Sequence, residues 1–162
     1  ILAKDKDESI RVSVAVNRST SVDTLSLLAD DSSDYVRQMV ARNAKTLTLL
    51  TLMAKDKDKW VRVVVAENDN TSPSVLALLA TDSDENVRVA VAQSTSTLPD
   101  TLALLAMDKS VQVREYVAEN ANTPSSALKL LAGDDEESVR DSVVYNKNAP
   151  DDVRDQARNY DG

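Results

Sequence analysis

The sequence has 162 residues, a net charge of −8, and neither cysteine nor histidine. This composition excludes disulfides, thiolate nucleophiles and cysteine-ligated iron–sulfur or zinc sites, and it removes the commonest general base and metal ligand. The acidic balance makes nucleic acid or an anionic membrane a poor electrostatic partner. With 42% hydrophobic residues and no phenylalanine, the chain is expected to fold around Val, Leu and Ala.

Residues 1–9, ILAKDKDES, match the tail of a repeat whose beginning is missing. We therefore expect the sequence to be part of a longer chain. Its longest apolar runs are far too short to span a bilayer, so we expect a cytoplasmic protein that does not enter a membrane.

From residue 10 onwards, one pattern recurs every 25 or 26 residues. It opens with Val-Arg or Ile-Arg, and the repeats begin at residues 10, 36, 61, 87, 113 and 139. A fixed period of this length predicts a stacked array of similar units within a single domain, 1–162.

Each repeat predicts two short helices. In the third repeat, Val61 and Val65 stand four residues apart, which places them on one face of a first helix. Asn68 is expected to end that helix through left-handed backbone or an Asx turn. The hydroxyl of Thr71 is expected to cap a second helix of about ten residues. The leucine spacing of that helix is compatible with either α or 3₁₀ geometry.

The last segment, 139–162, differs from the earlier repeats. Val153 and Ala157 stand where the leucine cluster is expected, among charged residues that include Asp161. A polar terminal repeat of this kind is typical of the cap that closes a repeat array, so we predict a capping repeat.

The motif V-R-x-x-V-A-x-N-x-x-T-x-P…L-x-L-L-A-x-D resembles the leucine-rich repeat variant family of bacteria, which is related in pattern to HEAT-like repeats. The resemblance covers essentially the whole chain. It implies an all-α solenoid, a right-handed superhelix of about six two-helix repeats without strands, in which the second helices are often 3₁₀. Some members carry an iron–sulfur cluster on a separate cysteine-rich segment. This sequence has no cysteine, so we expect no cofactor, and the resemblance implies little about activity.

Two charged columns follow the repeat period. The arginines are Arg11, Arg37, Arg62, Arg88, Arg114 and Arg140, and the aspartates are Asp31, Asp56, Asp82, Asp108 and Asp134. The arginines alone could form a basic stripe that binds phosphates or acidic peptides. Two columns of opposite sign in register instead favour a structural ladder that ties neighbouring repeats and leaves little free charge.

Other repeated residues favour structural roles too. The asparagine column scarcely varies, whereas a nucleic-acid readout code needs variation between repeats. The acidic segments lack the ligand order of a calcium loop, and no serine or lysine stands in a recognisable nucleophile motif. We therefore expect neither a bound metal nor enzyme activity.

The positions that vary lie on the other side of the first helices. They are rich in apolar residues in the first four repeats and become acidic and tyrosine-bearing afterwards, which is typical of a protein-binding surface. The candidate partner-binding residues are Val12, Met39, Val63, Val64, Glu67, Val89, Gln93, Tyr116 and Tyr145. The alternative is that some of them pack against the next repeat.

The leading hypothesis is a non-catalytic scaffold that binds an unidentified protein or peptide through this variable face. The alternatives are a nucleic-acid-binding repeat, which the charge opposes, and a structural spacer within a longer protein.

Overall fold

A computed structural model of the chain describes residues 2–160. Ile1, Asp161 and Gly162 lie outside the described residues. Asp161 is one of the charged residues of the predicted cap. The described residues form a 3₁₀ turn at Leu2–Lys4 followed by α-helices, with no strand among them. The helices are α1 (Glu8–Val16), α2 (Val22–Leu28), α3 (Asp34–Asn43), α4 (Leu47–Met53), α5 (Lys59–Glu67), α6 (Pro73–Leu79), α7 (Glu85–Gln93), α8 (Pro99–Leu105), α9 (Val111–Glu119), α10 (Ser125–Leu131), α11 (Glu137–Tyr145) and α12 (Asp151–Arg158).

The chain divides into an N-terminal unit, Ile1–Val75, and a C-terminal unit, Leu76–Gly162. In the N-terminal unit, α1 packs on α3 and α3 packs on α5. In the C-terminal unit, α7, α9 and α11 pack in the same succession, while α8, α10 and α12 do so beside them. Each unit is thus an all-α stack of helix pairs, the local arrangement of an α-solenoid, as the repeat period predicts.

The second helices of the five repeats up to α10 are α-helices of seven residues, so the 3₁₀ geometry that the family resemblance implies is not found there. Their main-chain bonds close on residues four apart. In α8, for example, the N–H of Ala106 donates to the carbonyl of Leu102 over 2.8 Å.

In the repeats of ordinary length, the threonine has a different role from the predicted one. The hydroxyls of Thr20, Thr71 and Thr97 donate to a carbonyl in the last turn of the first helix, six residues earlier, over 2.6–2.7 Å. The side chain after it caps the next helix in the first repeat, where Ser21 accepts from the N–H of Thr24. Only in the repeat that is one residue shorter does the threonine, Thr46, cap the helix itself. Because the loop is one residue shorter, Thr46 stands one position closer to the start of α4, and it therefore takes the capping role that Ser21 has in the first repeat.

The asparagines also correct one detail of the prediction. Asn68, at the end of α5, has φ −77° and ψ 122°, which is extended rather than left-handed backbone. Its side-chain oxygen accepts the N–H of Asn70, so the predicted Asx turn is present. Its amide donates to the carbonyls of Ala41 and Ala44 in the preceding repeat, over 2.7 and 3.0 Å. The asparagine therefore joins consecutive repeats as well as ending a helix.

The core follows the repeated residues. In α5 the motif valines Val61 and Val65 are fully buried, and so are their counterparts in α3, α7, α9 and α11. The residues of each leucine cluster differ in burial. In α4, Leu50 and Met53 are buried whereas Leu52, between them, is 60% exposed. Two consecutive helical residues point about 100° apart, so three clustered leucines cannot all face one core.

Candidate interaction surface

The charged columns form bidentate ion pairs within each unit. The Nε of Arg88 donates to one oxygen of Asp108 over 2.7 Å, and its Nη2 donates to the other over 2.9 Å. The same arginine reaches back through Nη1 to the carbonyl of Asp82, 2.9 Å away. Arg11 with Asp31, Arg37 with Asp56, and Arg114 with Asp134 repeat this bidentate geometry.

The last arginine of the ladder has another partner. Nη1 of Arg140 donates to the carbonyl of Asp134, as the motif requires. The guanidinium lies 4.3 Å from the centre of the Tyr160 ring, and the hydroxyl of Tyr160 donates to Asp135. An aromatic ring over the guanidinium takes the place of a further aspartate. Arg62, in the middle of the column, donates to the carbonyls of Asp56 and Lys57.

The ion pairs change the titration of the aspartates. Burial alone would raise the pKa of Asp108, but the hydrogen bonds from Arg88 and from the N–H of Ser110, with the attraction of the guanidinium, hold it below its ordinary value. The pKa of Asp31 and that of Asp134 are lowered by the same balance of causes. The pairs therefore favour the charged carboxylates in the folded state, and these arginines present little free charge to a ligand.

The predicted partner-binding residues fall into three groups. Glu67, Gln93 and Tyr145 are exposed, and Tyr145 is exposed over 82% of its surface. The half-buried ones are Val12, Met39, Val89 and Tyr116. Val63 and Val64 are buried, with only 8% and 7% of their surface exposed. Val63 is part of the core, which is the alternative that the sequence left open for the variable positions. Val64 is also nearly buried, although it lines a groove in the N-terminal unit.

One groove of the C-terminal unit brings several of these residues together. It lies where α7 and α9 end, has a volume of about 390 Å³, and is lined by Gln93, Tyr116 and Glu119 together with residues of the two following loops. Its floor is fixed, because the amide of Asn120 donates to the carbonyls of Ala92 and Ser94 over 2.7 and 3.1 Å. The groove thus offers an aromatic ring, a carboxylate and an amide on a preformed base.

An equivalent groove is present in the N-terminal unit, where α3 and α5 end. It has a volume of about 350 Å³ and is lined by Arg42, Val64, Glu67 and the loop residues 68–70. In the repeat pattern, Val64 stands where Tyr116 stands, and Arg42 stands where Gln93 stands. Its lining is consequently more charged and lacks the aromatic ring.

Sequence reasoning did not identify a second exposed feature, the middle leucines of the short helices in each unit. It contains Leu27 and Leu52 in the N-terminal unit, and Leu78, Leu104 and Leu130 in the C-terminal unit. The signal was present in the spacing, since the middle leucine of each cluster cannot share a face with the other two.

Within residues 2–160, no group of three or more acidic side chains is arranged to hold a metal ion. None of the helices described is long and apolar enough to cross a membrane.

Comparison with known proteins finds similarity among solved structures. No family model matches the sequence, and no curated protein matches it. Among solved structures, a leucine-rich repeat variant with a novel repetitive structural motif is similar over 98% of this chain and 68% of its own, with a TM-score of 0.74 and 28% sequence identity. In both its repeat motif and its fold, the chain is therefore similar to this leucine-rich repeat variant.

Proposed function

We propose that the chain is a non-catalytic scaffold that binds a protein partner through the first-helix groove of its C-terminal unit. The observation that carries the proposal is the meeting of Gln93, Tyr116 and Glu119 in one open groove. Aromatic side chains with a polar end are enriched in protein interfaces, because they bury area and still donate or accept a hydrogen bond.

The rigidity of the groove supports this use. The amide of Asn122 donates to the carbonyl of Thr95 over 2.7 Å, and Asn120 ties the same two repeats. A base that is already hydrogen-bonded loses little conformational entropy when a partner binds. The variable side chains can therefore change between repeats without altering the scaffold below them.

The charge of the groove indicates the chemistry of the partner. Glu119 is exposed at its rim, Glu115 is half-buried on the same helix, and the chain as a whole is acidic. Lys or Arg of a partner segment would be attracted to these carboxylates, and an apolar side chain would pack on the Tyr116 ring. One repeat later, Tyr145 occupies the position of Glu119 and extends the surface with a second exposed ring.

The experiment is a selection of peptides from a displayed library against the whole chain, followed by calorimetric titration of the selected peptides. We expect selected peptides to carry a basic residue beside an apolar one. Tyr116→Ala should raise Kd by about 30-fold, the effect of truncating one interface hot spot. Glu119→Lys should raise it further for the most basic peptides.

The matched control is Asp100→Lys, which makes the same charge change at an exposed site on α8. It should leave Kd within about twofold, because an exposed charge away from the interface contributes little. If the selected peptides bound the Tyr116 and Glu119 variants as tightly as they bind the unaltered chain, the groove would not be the binding site.

A further inference from the structure

Two asparagine side chains of the C-terminal unit are held in the same way, one repeat apart. The amide nitrogen of Asn122 donates to the carbonyl of Thr95 over 2.7 Å. The amide nitrogen of Asn148 donates to the carbonyl of Ala121, also over 2.7 Å. In each case the acceptor lies 27 residues earlier, in the loop that follows the first helix of the preceding repeat. Because equivalent bonds fix both side chains, the two amides occupy equivalent places on successive repeats.

The oxygen of each amide is available to a ligand. Within residues 2–160, no N–H or O–H group donates to the side-chain oxygen of Asn122 or to that of Asn148. Both side chains are exposed, and Asn122 lines the same groove as Tyr116 and Glu119. An amide oxygen has two lone pairs that accept hydrogen bonds. The C-terminal unit therefore presents two fixed acceptors, one on each of two successive repeats.

The N-terminal unit lacks this pair of fixed acceptors. Lys45 stands at the place of Asn122, and its Nζ donates to the carbonyl of Arg18, 27 residues earlier, over 3.3 Å. A lysine side chain offers no acceptor. At the next such place, the amide of Asn70 donates to the side-chain oxygen of Asn68 and not to the preceding repeat. The two acceptors thus come from particular residues of the C-terminal unit and are not a general property of the repeat fold.

We propose that the partner segment at the first-helix groove is an extended chain in the polyproline II conformation. It runs across successive repeats of the C-terminal unit. The side-chain oxygens of Asn122 and Asn148 accept main-chain N–H groups from partner residues that are three positions apart. This inference rests on the proposed function, because it describes how the same surface holds its partner.

The spacing of the repeats selects this conformation. The helices α9 and α11, which precede the two asparagines, pack on each other, and packed helices lie about 8–10 Å apart. A polyproline II chain has three residues per turn and rises about 3.1 Å per residue, so its N–H groups recur in one direction every ~9 Å. In a β-strand they recur every two residues, at about 6.6 Å and then at about 13 Å. An α-helix uses its N–H groups in its own hydrogen bonds.

The side chains around the acceptors fit such a segment. Because a polyproline II helix has three residues per turn, one partner side chain in three faces the protein. One such residue meets the groove of Tyr116 and Glu119, and the next meets Tyr145, which is 82% exposed one repeat later. The acidic rim favours a basic residue at the first place, and the exposed ring favours an apolar residue at the second.

The experiment is an N-methyl scan of the tightest-binding peptide from the displayed library, titrated calorimetrically against the whole chain. Each main-chain N–H of the peptide is methylated in turn, which removes one donor and keeps the side chain. We expect methylation at two positions, three residues apart, to raise Kd about tenfold through the loss of one hydrogen bond each. Methylation between them should leave Kd within about threefold, because those N–H groups face solvent.

A matched variant assigns one of the two positions to Asn122. In Asn122→Lys the bond to the preceding repeat is kept, as Lys45 demonstrates in the N-terminal unit, but the acceptor is lost. Against this variant, methylation at one sensitive position should lose its effect, while the other should keep its tenfold effect. The charge of the new lysine acts on methylated and unmethylated peptides alike and cancels in the double-mutant cycle. An unchanged urea midpoint verifies that the variant is folded.

The scan separates this inference from the proposed function. Sensitive positions two or four residues apart would assign the partner to a β-strand, and sensitivity at every interior position would assign it to an α-helix. Either result overturns the inference, and so does a scan with no sensitive position. If Tyr116→Ala raises Kd while the scan gives one of these results, only the conformation of the partner is wrong. If Tyr116→Ala leaves Kd unchanged, the groove is not the binding site and the proposed function fails with the inference.

Discussion

Replacement of Asp108 by asparagine tests the ladder most sharply. Asp108 accepts from Nε and Nη2 of Arg88, and its side chain and that of Arg88 are less than one-tenth exposed. In Asp108→Asn an amide N–H faces one of these donors, so one charge-assisted hydrogen bond is lost and a nearly buried guanidinium loses its counter-charge. We expect the free energy of unfolding to fall by about 2–4 kcal/mol.

The measurement is urea unfolding followed by far-ultraviolet circular dichroism. The matched control is Asp100→Asn, an exposed aspartate on α8, which should change the free energy of unfolding by less than about 0.5 kcal/mol. Replacing both partners, as Arg88→Met with Asp108→Leu, should cost less than the two single changes summed, because no unpaired charge remains. If Asp108→Asn lowers the free energy of unfolding no more than Asp100→Asn does, the ion pair does not stabilise the fold and the reasoning is wrong.

Three further predictions follow from the same contacts. Acid should destabilise the chain, because the folded-state pKa values of Asp31, Asp108 and Asp134 lie below the ordinary 3.8 and the unfolded chain therefore takes up protons first. The stability that these aspartates contribute above pH 3.8 is lost as the pH falls below it. Urea midpoints measured between about pH 6 and pH 3 should therefore fall with pH, and a flat profile would contradict the prediction. Asn146→Ala should lower the free energy of unfolding by about 1–3 kcal/mol, because its buried amide donates to the carbonyls of Ala118 and Asn120, while the exposed control Lys147→Ala should be neutral in the same denaturation assay. Val63→Lys should lower it by about 2–4 kcal/mol, because it places a charge in the core, whereas Glu67→Lys on the same helix should leave it nearly unchanged; equal denaturation midpoints for these two variants would contradict the burial of Val63.

The repeat period predicted the fold well, because residues that recur at one spacing must occupy equivalent places. The burial of Val61 and Val65 and the pairing of the arginine and aspartate columns follow from that equivalence. Details that depend on a single loop residue were harder to predict from the sequence. Whether a threonine caps the next helix or bonds back to the last one is decided by one residue of loop length, as Thr46 and Thr71 illustrate.

The candidate surface was only partly predictable for a physical reason. Helical spacing gives the direction of a side chain but not the distance to the neighbouring helix. Val63 and Tyr116 both point away from the motif face in the sequence pattern, yet one is buried and the other half-exposed in a groove. The groove itself is formed by the ends of two successive helices, which a helical wheel of one repeat does not represent.

The central claim is that repeated residues hold the scaffold and that variable groove residues bind. The measurement that tests it most directly is a scan of all single substitutions, read out separately as folded abundance and as binding of a library-selected peptide. We predict that substitutions at Arg88, Asp108 and Asn146 lower abundance, whereas those at Gln93, Tyr116 and Glu119 lower binding and leave abundance unchanged. The claim would be contradicted if the substitutions that lower binding alone fell instead on the exposed leucines of the second helices.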